Sequence, residues 1–299
     1  MSNNQNQLLT YAVIALILGA AVGYFAAGPI TYNSQIADLK KQIEAGGGSI
    51  ELSGSISVAG STTVLPISQE CANLFMAANP KVDVSVAGGG SGAGIKSAGS
   101  GEVDIGEASR NIKESEFLKY PDLTAFSVAK DSVAIVINPQ NPLAGSLDLT
   151  IEQVSQIFSG EITNWSELGG PDHEIEVYTR EEGSGTREVF VEYVMGGKEF
   201  AANVGVKPSN GEMRAAVAGN VYGLAYVSFG YLDSSLSAAR VNGIEAKVAN
   251  VNSGQYPITR ILWMFTKGVP NDLELAFIKF IQSPEGQAVV EDMGFIPIY

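Results

Sequence analysis

Residues 82–101 read VDVSVAGGGSGAGIKSAGSG. VDVSVAGGG is a predicted strand ending in glycines, and GAGIKSAGSG starts a short helix. The same local pattern occurs twice more. Gly60-Ser61-Thr62-Thr63 lies between the strand-like SISVAGS and the helix-like LPISQECANLFMAAN. Arg180-Glu181-Glu182-Gly183-Ser184-Gly185-Thr186-Arg187 lies between EIEVYTR, a strand, and TREVFVEYVMG, a helix. Farther out, VDIGEAS, LAYVSFGYL and ILWMFTKG read as strands. SVAIVIN is a continuous apolar run, as expected for a sheet buried on both faces. TIEQVSQIFSG reads as a helix, and NDLELAFIKFIQSPEGQAVVEDMG as one or two helices broken near Pro284. Strand–helix alternation of this kind implies α/β layers with mostly parallel sheets.

The three turns share a chemistry. The first N–H groups of a helix have no intrahelical partner, and the helix dipole adds about half a positive charge there. Glycine lets backbone approach a ligand closely, and serine and threonine hydroxyls donate further hydrogen bonds. A single Ser or Thr at such a place is an ordinary N-cap. Three in one α/β chain, at the strand-to-helix turns where open sheets bind ligands, point to an anion. Arginine is scarce, with six in the chain, yet Arg110, Arg180 and Arg187 lie at or beside these turns or the end of VDIGEAS. A guanidinium meets a tetrahedral oxyanion with paired donors.

Composition narrows the choice. The chain carries 32 Asp plus Glu against 18 Lys plus Arg, net −14, so it lacks the basic footprint of a nucleic-acid binder. That field repels anions at long range, so an anion site has to be made locally from N–H groups, hydroxyls and a few arginines. One cysteine, Cys71, excludes an intrachain disulfide and reads as a small buried helix residue. With one histidine, His173, no Cys/His metal cluster can be assembled, and neither a metal nor a cofactor is expected. His173, in the turn-like GGPDH, reads as a solvated loop residue.

Enzyme readings fail on particular residues. Gly89–Gly94 has P-loop glycine spacing, but Ile95 precedes Lys96 where Gly-Lys-Ser/Thr is required. Neither Ser91 nor Ser184 completes G-x-S-x-G, because Ala93 and Glu182 occupy glycine positions.

Leu8–Ala27 is uncharged and long enough to span a bilayer. The preceding MSNNQNQ has no Lys or Arg, which favours an uncleaved anchor over a signal peptide, although small residues near Ala26 and Ala27 permit cleavage. Ile36, Leu39 and Ile43 suggest a short amphipathic helix before the linker Gly46-Gly47-Gly48-Ser49. The expected organisation is an anchor or uncleaved signal at 1–30, a stalk at 31–50 and the folded part beyond.

From residue 56 onward the chain resembles the phosphate-binding proteins of ABC uptake systems. GSTTVLP (60–66) resembles the family's first phosphate loop and VAGGGSGAGI (86–95) its second. VDIGEASR (103–110) resembles the segment supplying further first-lobe ligands. LTIEQVSQIFSGEITNW (149–165) followed by Gly169-Gly170 is similar to a distinctive family stretch. TREEGSGTRE (179–188) resembles the second-lobe anion loop, and FIQSPEGQAVVEDMGFIPI (280–298) the C-terminal stretch. The resemblance implies a two-lobed type II periplasmic-binding-protein fold with hinge crossings near 131–135 and 225–229. The first lobe is then 51–133 plus 228–299, and the second 134–227. It implies phosphate ligands Thr62, Thr63 and Ser91 from one lobe and Arg180, Ser184, Gly185 and Thr186 from the other. Some members place a phosphate-accepting aspartate near the end of the VDIGEAS-like strand. Here that stretch ends Ala108-Ser109-Arg110, making Ser109 and Arg110 candidate ligands and leaving Glu107 or Glu182 as candidate acceptors. The implied function is non-enzymatic capture of inorganic phosphate by a membrane-anchored, extracellular or periplasmic monomer that serves an ABC permease. The alternatives are another oxyanion (sulfate, molybdate or tungstate) on the same scaffold, or an envelope receptor without a transport role.

Overall fold

Strand β1 (Gly54–Gly60) lies between β2 (Val82–Gly88) and β3 (Ile105–Ala108), both parallel to it. Parallel neighbours need crossovers. Helix α1 (Leu65–Ala78) supplies the first and α2 (Ser91–Ser100) the second. These elements belong to a computed structural model that describes residues 52–299. The expected anchor (1–30) and stalk (31–50) lie outside the described residues. Among the described residues no helix is long and apolar enough to cross a membrane.

Helix α1 has Pro66 in its first turn, where a missing N–H costs nothing, and it buries Ile67, Ser68, Cys71, Ala72 and Phe75. Burial pushes the Cys71 thiol up to about 12, which fits an inert core residue. A short helix α3 (Glu114–Lys119) leads into β4 (Leu123–Ile137), a strand of 15 residues.

Strand β4 joins the two halves of the molecule. Leu123–Ser132 pairs antiparallel with β11 (Thr259–Lys267), and Val133–Ile137 pairs antiparallel with β8 (Gly223–Ser228). The sheet order is β2-β1-β3-β11-β4 on one side and β4-β8-β6-β7 on the other, with β6 (Glu176–Arg180) and β7 (Gly205–Lys207) parallel to their neighbours. Val133–Ile137 is fully buried, as its unbroken apolar sequence requires. The second half also carries β5 (Asp148–Leu149), α4 (Ile151–Ser159), α5 (Gly185–Phe190) and α6 (Asn210–Ala218). Thr150 caps α4 in a capping box with Gln153. The helix expected over TREVFVEYVMG is α5, continued by a π turn at Val191–Met195. The C-terminal helices α8 (Asp272–Ile281) and α9 (Pro284–Asp292) are separated where Pro284 predicts, with Ser283 accepting from the Gly286 N–H.

Each half has its own core. Ile56, Val58, Ile67, Phe75, Met264 and Phe277 share the first, and Ile135, Phe158, Trp165, Phe190 and Tyr226 the second. The second core also takes Leu236, Val241, Val251, Tyr256 and Ile258. These come from β9 (Ser237–Ala238), β10 (Arg240–Val241), α7 (Val248–Asn252) and the segments around them. This differs from the boundary at 227/228 read from the sequence. The chain does touch the crossing at Phe229, whose N–H donates to Asp131 Oδ1 at 3.1 Å. It then returns to the second core and re-enters the first sheet at Thr259, the first residue of β11. The later return has a packing cause: five apolar side chains of 236–258 are buried in the second core.

Candidate anion-binding cleft

Parallel pairing puts the carboxyl ends of β1, β2 and β3 at one edge, and antiparallel β11 brings its first residues to that same edge. The turns after β1 and β2, and Ser109 after β3, therefore face the cleft where the two sheets meet. From the second half, the turn after β6 arrives opposite them. The two sides touch: the Gly92 N–H donates to the Gly183 carbonyl at 3.0 Å.

The centre of the cleft is Arg260, a residue that the sequence reading does not single out. Its Nε and Nη2 donate to Asp131 Oδ2 at 2.9 and 2.6 Å. Arg260 and Asp131 are direct cross-strand partners on β11 and β4, so the pair sits at the crossing itself. The remaining reach of the guanidinium goes to hydroxyls of three separate segments. Nη1 donates to Thr186 Oγ1 at 3.0 Å and lies 3.4 Å from Ser109 Oγ, and Nη2 donates to Thr63 Oγ1 at 3.2 Å. Thr63 and Thr186 hydroxyls are 3.1 Å apart, and Asn210 Nδ2 donates to Thr63 at 2.9 Å. All of these side chains are buried. Burial disfavours the Arg260 charge and the Asp131 carboxylate opposes that effect.

Around this centre stand the other expected residues. Ser91, first residue of α2, accepts from the Ser109 N–H at 3.0 Å, with the two hydroxyls 3.3 Å apart. Gly185 packs against both hydroxyls, and a Cβ there would collide with Ser91 Oγ. Gly90, at φ +90, turns the chain into α2 where the Gly183 carbonyl closes over it. Ser184 caps α5 by accepting from the Arg187 N–H at 3.3 Å. Thr62 is buried with its Oγ1 unpartnered, while its carbonyl accepts from Tyr231 Oη at 2.5 Å. Arg180 is 1% exposed, with Nε and Nη2 on Glu181 at 2.8 and 2.7 Å. Its backbone is fixed by Tyr226, whose Oη accepts from the Arg180 N–H at 3.1 Å.

Arg110 departs from this gathering. Its Nη1 and Nη2 each lie 2.7 Å from Glu116, and its Nε lies 2.7 Å from Glu188. The Arg110 guanidinium is engaged by two carboxylates, one from each half. Arg187 lies 4.8 Å over the Phe200 ring. Of the candidate acceptors, Glu182 is exposed, and Glu107 is fully buried against Ser68, one turn inside α1. His173 stacks on Tyr222 with ring centroids 3.4 Å apart, away from the cleft set. Among the described residues no cluster of His, Cys, Asp and Glu could hold a metal ion.

Two α/β halves with separate cores, joined at extended crossings and closing a polar cleft between them, define a two-lobed binding protein. The PBP superfamily domain matches residues 46–285. The phosphate-binding protein PstS of Bacillus subtilis is 33% identical over 261 residues, 87% of this chain and 86% of that protein. PstS of Pseudomonas aeruginosa is 27% identical over 94% of each chain. A crystal structure with bound phosphate, of a Clostridium perfringens protein assigned as a phosphate ABC transporter substrate-binding protein, has a TM-score of 0.78. It is 37% identical and covers 82% of this chain and all of that one. This chain belongs to the phosphate-binding protein PstS family of the PBP superfamily.

Proposed function

We propose that this protein captures inorganic phosphate between its lobes outside the cytoplasmic membrane and delivers it to an ABC permease. The observation that carries the reading is the convergence of Thr63 and Ser109 from one lobe and Thr186 from the other on the buried Arg260. Thr62, Ser91, Arg180, Ser184 and Gly185 complete the ligand set. The names of its relatives support phosphate as the anion. The protein acts as a monomer held at the outer face by residues 1–30, with residues 31–50 as a stalk.

The energetics are sufficient. A hydrogen bond to a charged group contributes about 1.5–3 kcal/mol net. Micromolar affinity needs about 8 kcal/mol, which several such donors exceed even after closure and desolvation are deducted. The test is calorimetry on the full chain in detergent, stripped of anion by unfolding and refolding. Phosphate binding with much weaker sulfate binding is expected, and Arg180→Ala weakens phosphate by at least about tenfold. Binding of tungstate or sulfate in place of phosphate would overturn the substrate, and silence to every oxyanion would overturn the carrier role.

A further inference from the structure

Arg110 and Glu188 stand on opposite lobes. Arg110 directly follows Ser109 at the cleft edge, and Glu188 lies two residues past Thr186 in α5. Each end of this contact is thus the near neighbour of a residue that reaches Arg260. Glu116 holds Arg110 from its own lobe through both terminal nitrogens, and the Lys113 N–H donates to the same carboxylate at 2.9 Å. The guanidinium is therefore fixed in place before the second lobe arrives. Glu188 then meets two cations with one oxygen: Arg110 Nε and Lys113 Nζ both lie 2.7 Å from Oε2.

Two properties make this contact breakable. Arg110 Nε and Glu188 Oε2 are close without forming an aligned hydrogen bond, so charge rather than direction holds them. A groove of about 680 Å³, lined by Arg110, Lys113, Glu188, Tyr193 and Arg260 among others, runs beside the contact, and the Glu188 side chain is 19% exposed. Arg110 Nε and Glu188 Oε2 are themselves covered, and Lys113, 53% exposed, is the part of the contact that solvent ions reach and weaken.

We propose that Arg110, Lys113 and Glu188 form an electrostatic latch that holds the closed lobes and sets the release rate of the bound anion without contacting it. The assignment rests on the reading of the cleft as the anion site. Glu116 positions Arg110, and Glu188 is the group that comes and goes. Because the latch forms after the anion has bridged the lobes, it acts on release and leaves capture unchanged.

The test uses the full-length protein in detergent with radiolabelled inorganic phosphate, following release by rapid filtration after dilution into unlabelled phosphate. Glu188→Gln is expected to release phosphate about fivefold faster, with association within about twofold of the parent and an unchanged melting temperature without phosphate. Glu188→Asp is expected to fall between the two. In the parent, raising KCl speeds release, whereas in Glu188→Gln it does so much less. Equal release rates, a change confined to association, or a lower melting temperature of the phosphate-free variant would each overturn the latch. A parent protein that binds no phosphate would instead overturn the reading of the site, so the two failures are distinguishable.

Discussion

The floor and the rim of the cleft are built from the same residue types and behave differently. On the floor, Arg260 and Asp131 are 3% and 0% exposed in their side chains, and every donor of the pair has a fixed partner. On the rim, Lys113 is 53% exposed and Glu188 19%, and although Arg110 is only 6% exposed, Glu188 Oε2 meets both cations without an aligned hydrogen bond. Ion pairs withdrawn from water are costly to form and costly to break, whereas pairs in water contribute little. Hydrogen-bond satisfaction together with burial of every partner, more than charge count, therefore divides a permanent part of the frame from a contact that can open and close.

That division can be broken by substitution. The largest effect is expected from Arg260→Ala, which strands Asp131 in the interior. Unfolding by urea should show a loss of about 3–5 kcal/mol, together with loss of phosphate binding. Stability within 1 kcal/mol of the parent would place the pair with the rim.

Next is Glu107, buried beneath α1 with one oxygen unpartnered and its carboxyl pushed up to about 8 by desolvation. Below the unfolded value both states hold the proton. Between that value and about 8 the unfolded chain releases it while the folded protein keeps it, so stability present at low pH is lost as pH rises. Unfolding free energies from urea titrations at pH 5 and pH 8 should differ in the parent by on the order of a few kcal/mol, with the lower value at pH 8, and Glu107→Gln should flatten the difference. An unchanged slope would remove Glu107 from the buried set.

The smallest effect belongs to Lys113→Ala on the rim, with release accelerated no more than about twofold and stability unmoved. A larger change would mean that the second cation, rather than Arg110, carries the latch.

The parts of this site that were legible in the sequence are the local ones. Gly90, Ser91, Ser184, Gly185 and Thr186 announce themselves because a strand, a glycine–hydroxyl turn and a helix are adjacent in the chain. Arg260 and Asp131 do not, because they are 129 residues apart and meet only through the register of β11 on β4. Nothing in ITRILW separates this arginine from one on a surface strand. The partners of Arg110 were hidden for the same kind of reason. Its position beside Ser109 is right for a ligand, and the carboxylates that claim it arrive from α3 and from the other lobe. The late return of the chain was hidden too, since Leu236, Val241, Val251, Tyr256 and Ile258 are spread over short segments with no period to read.

Each buried arginine at the cleft brings its own carboxylate: Arg180 has Glu181, and Arg260 has Asp131. The local sum is near zero before any anion arrives. What greets the guest is a set of oriented dipoles, whose pull fades with distance faster than that of a net charge. Grip of that kind is strong at contact and nearly gone a few ångströms away. A carrier so built recognises its cargo only on touching it, and a small separation of the lobes is enough to let go.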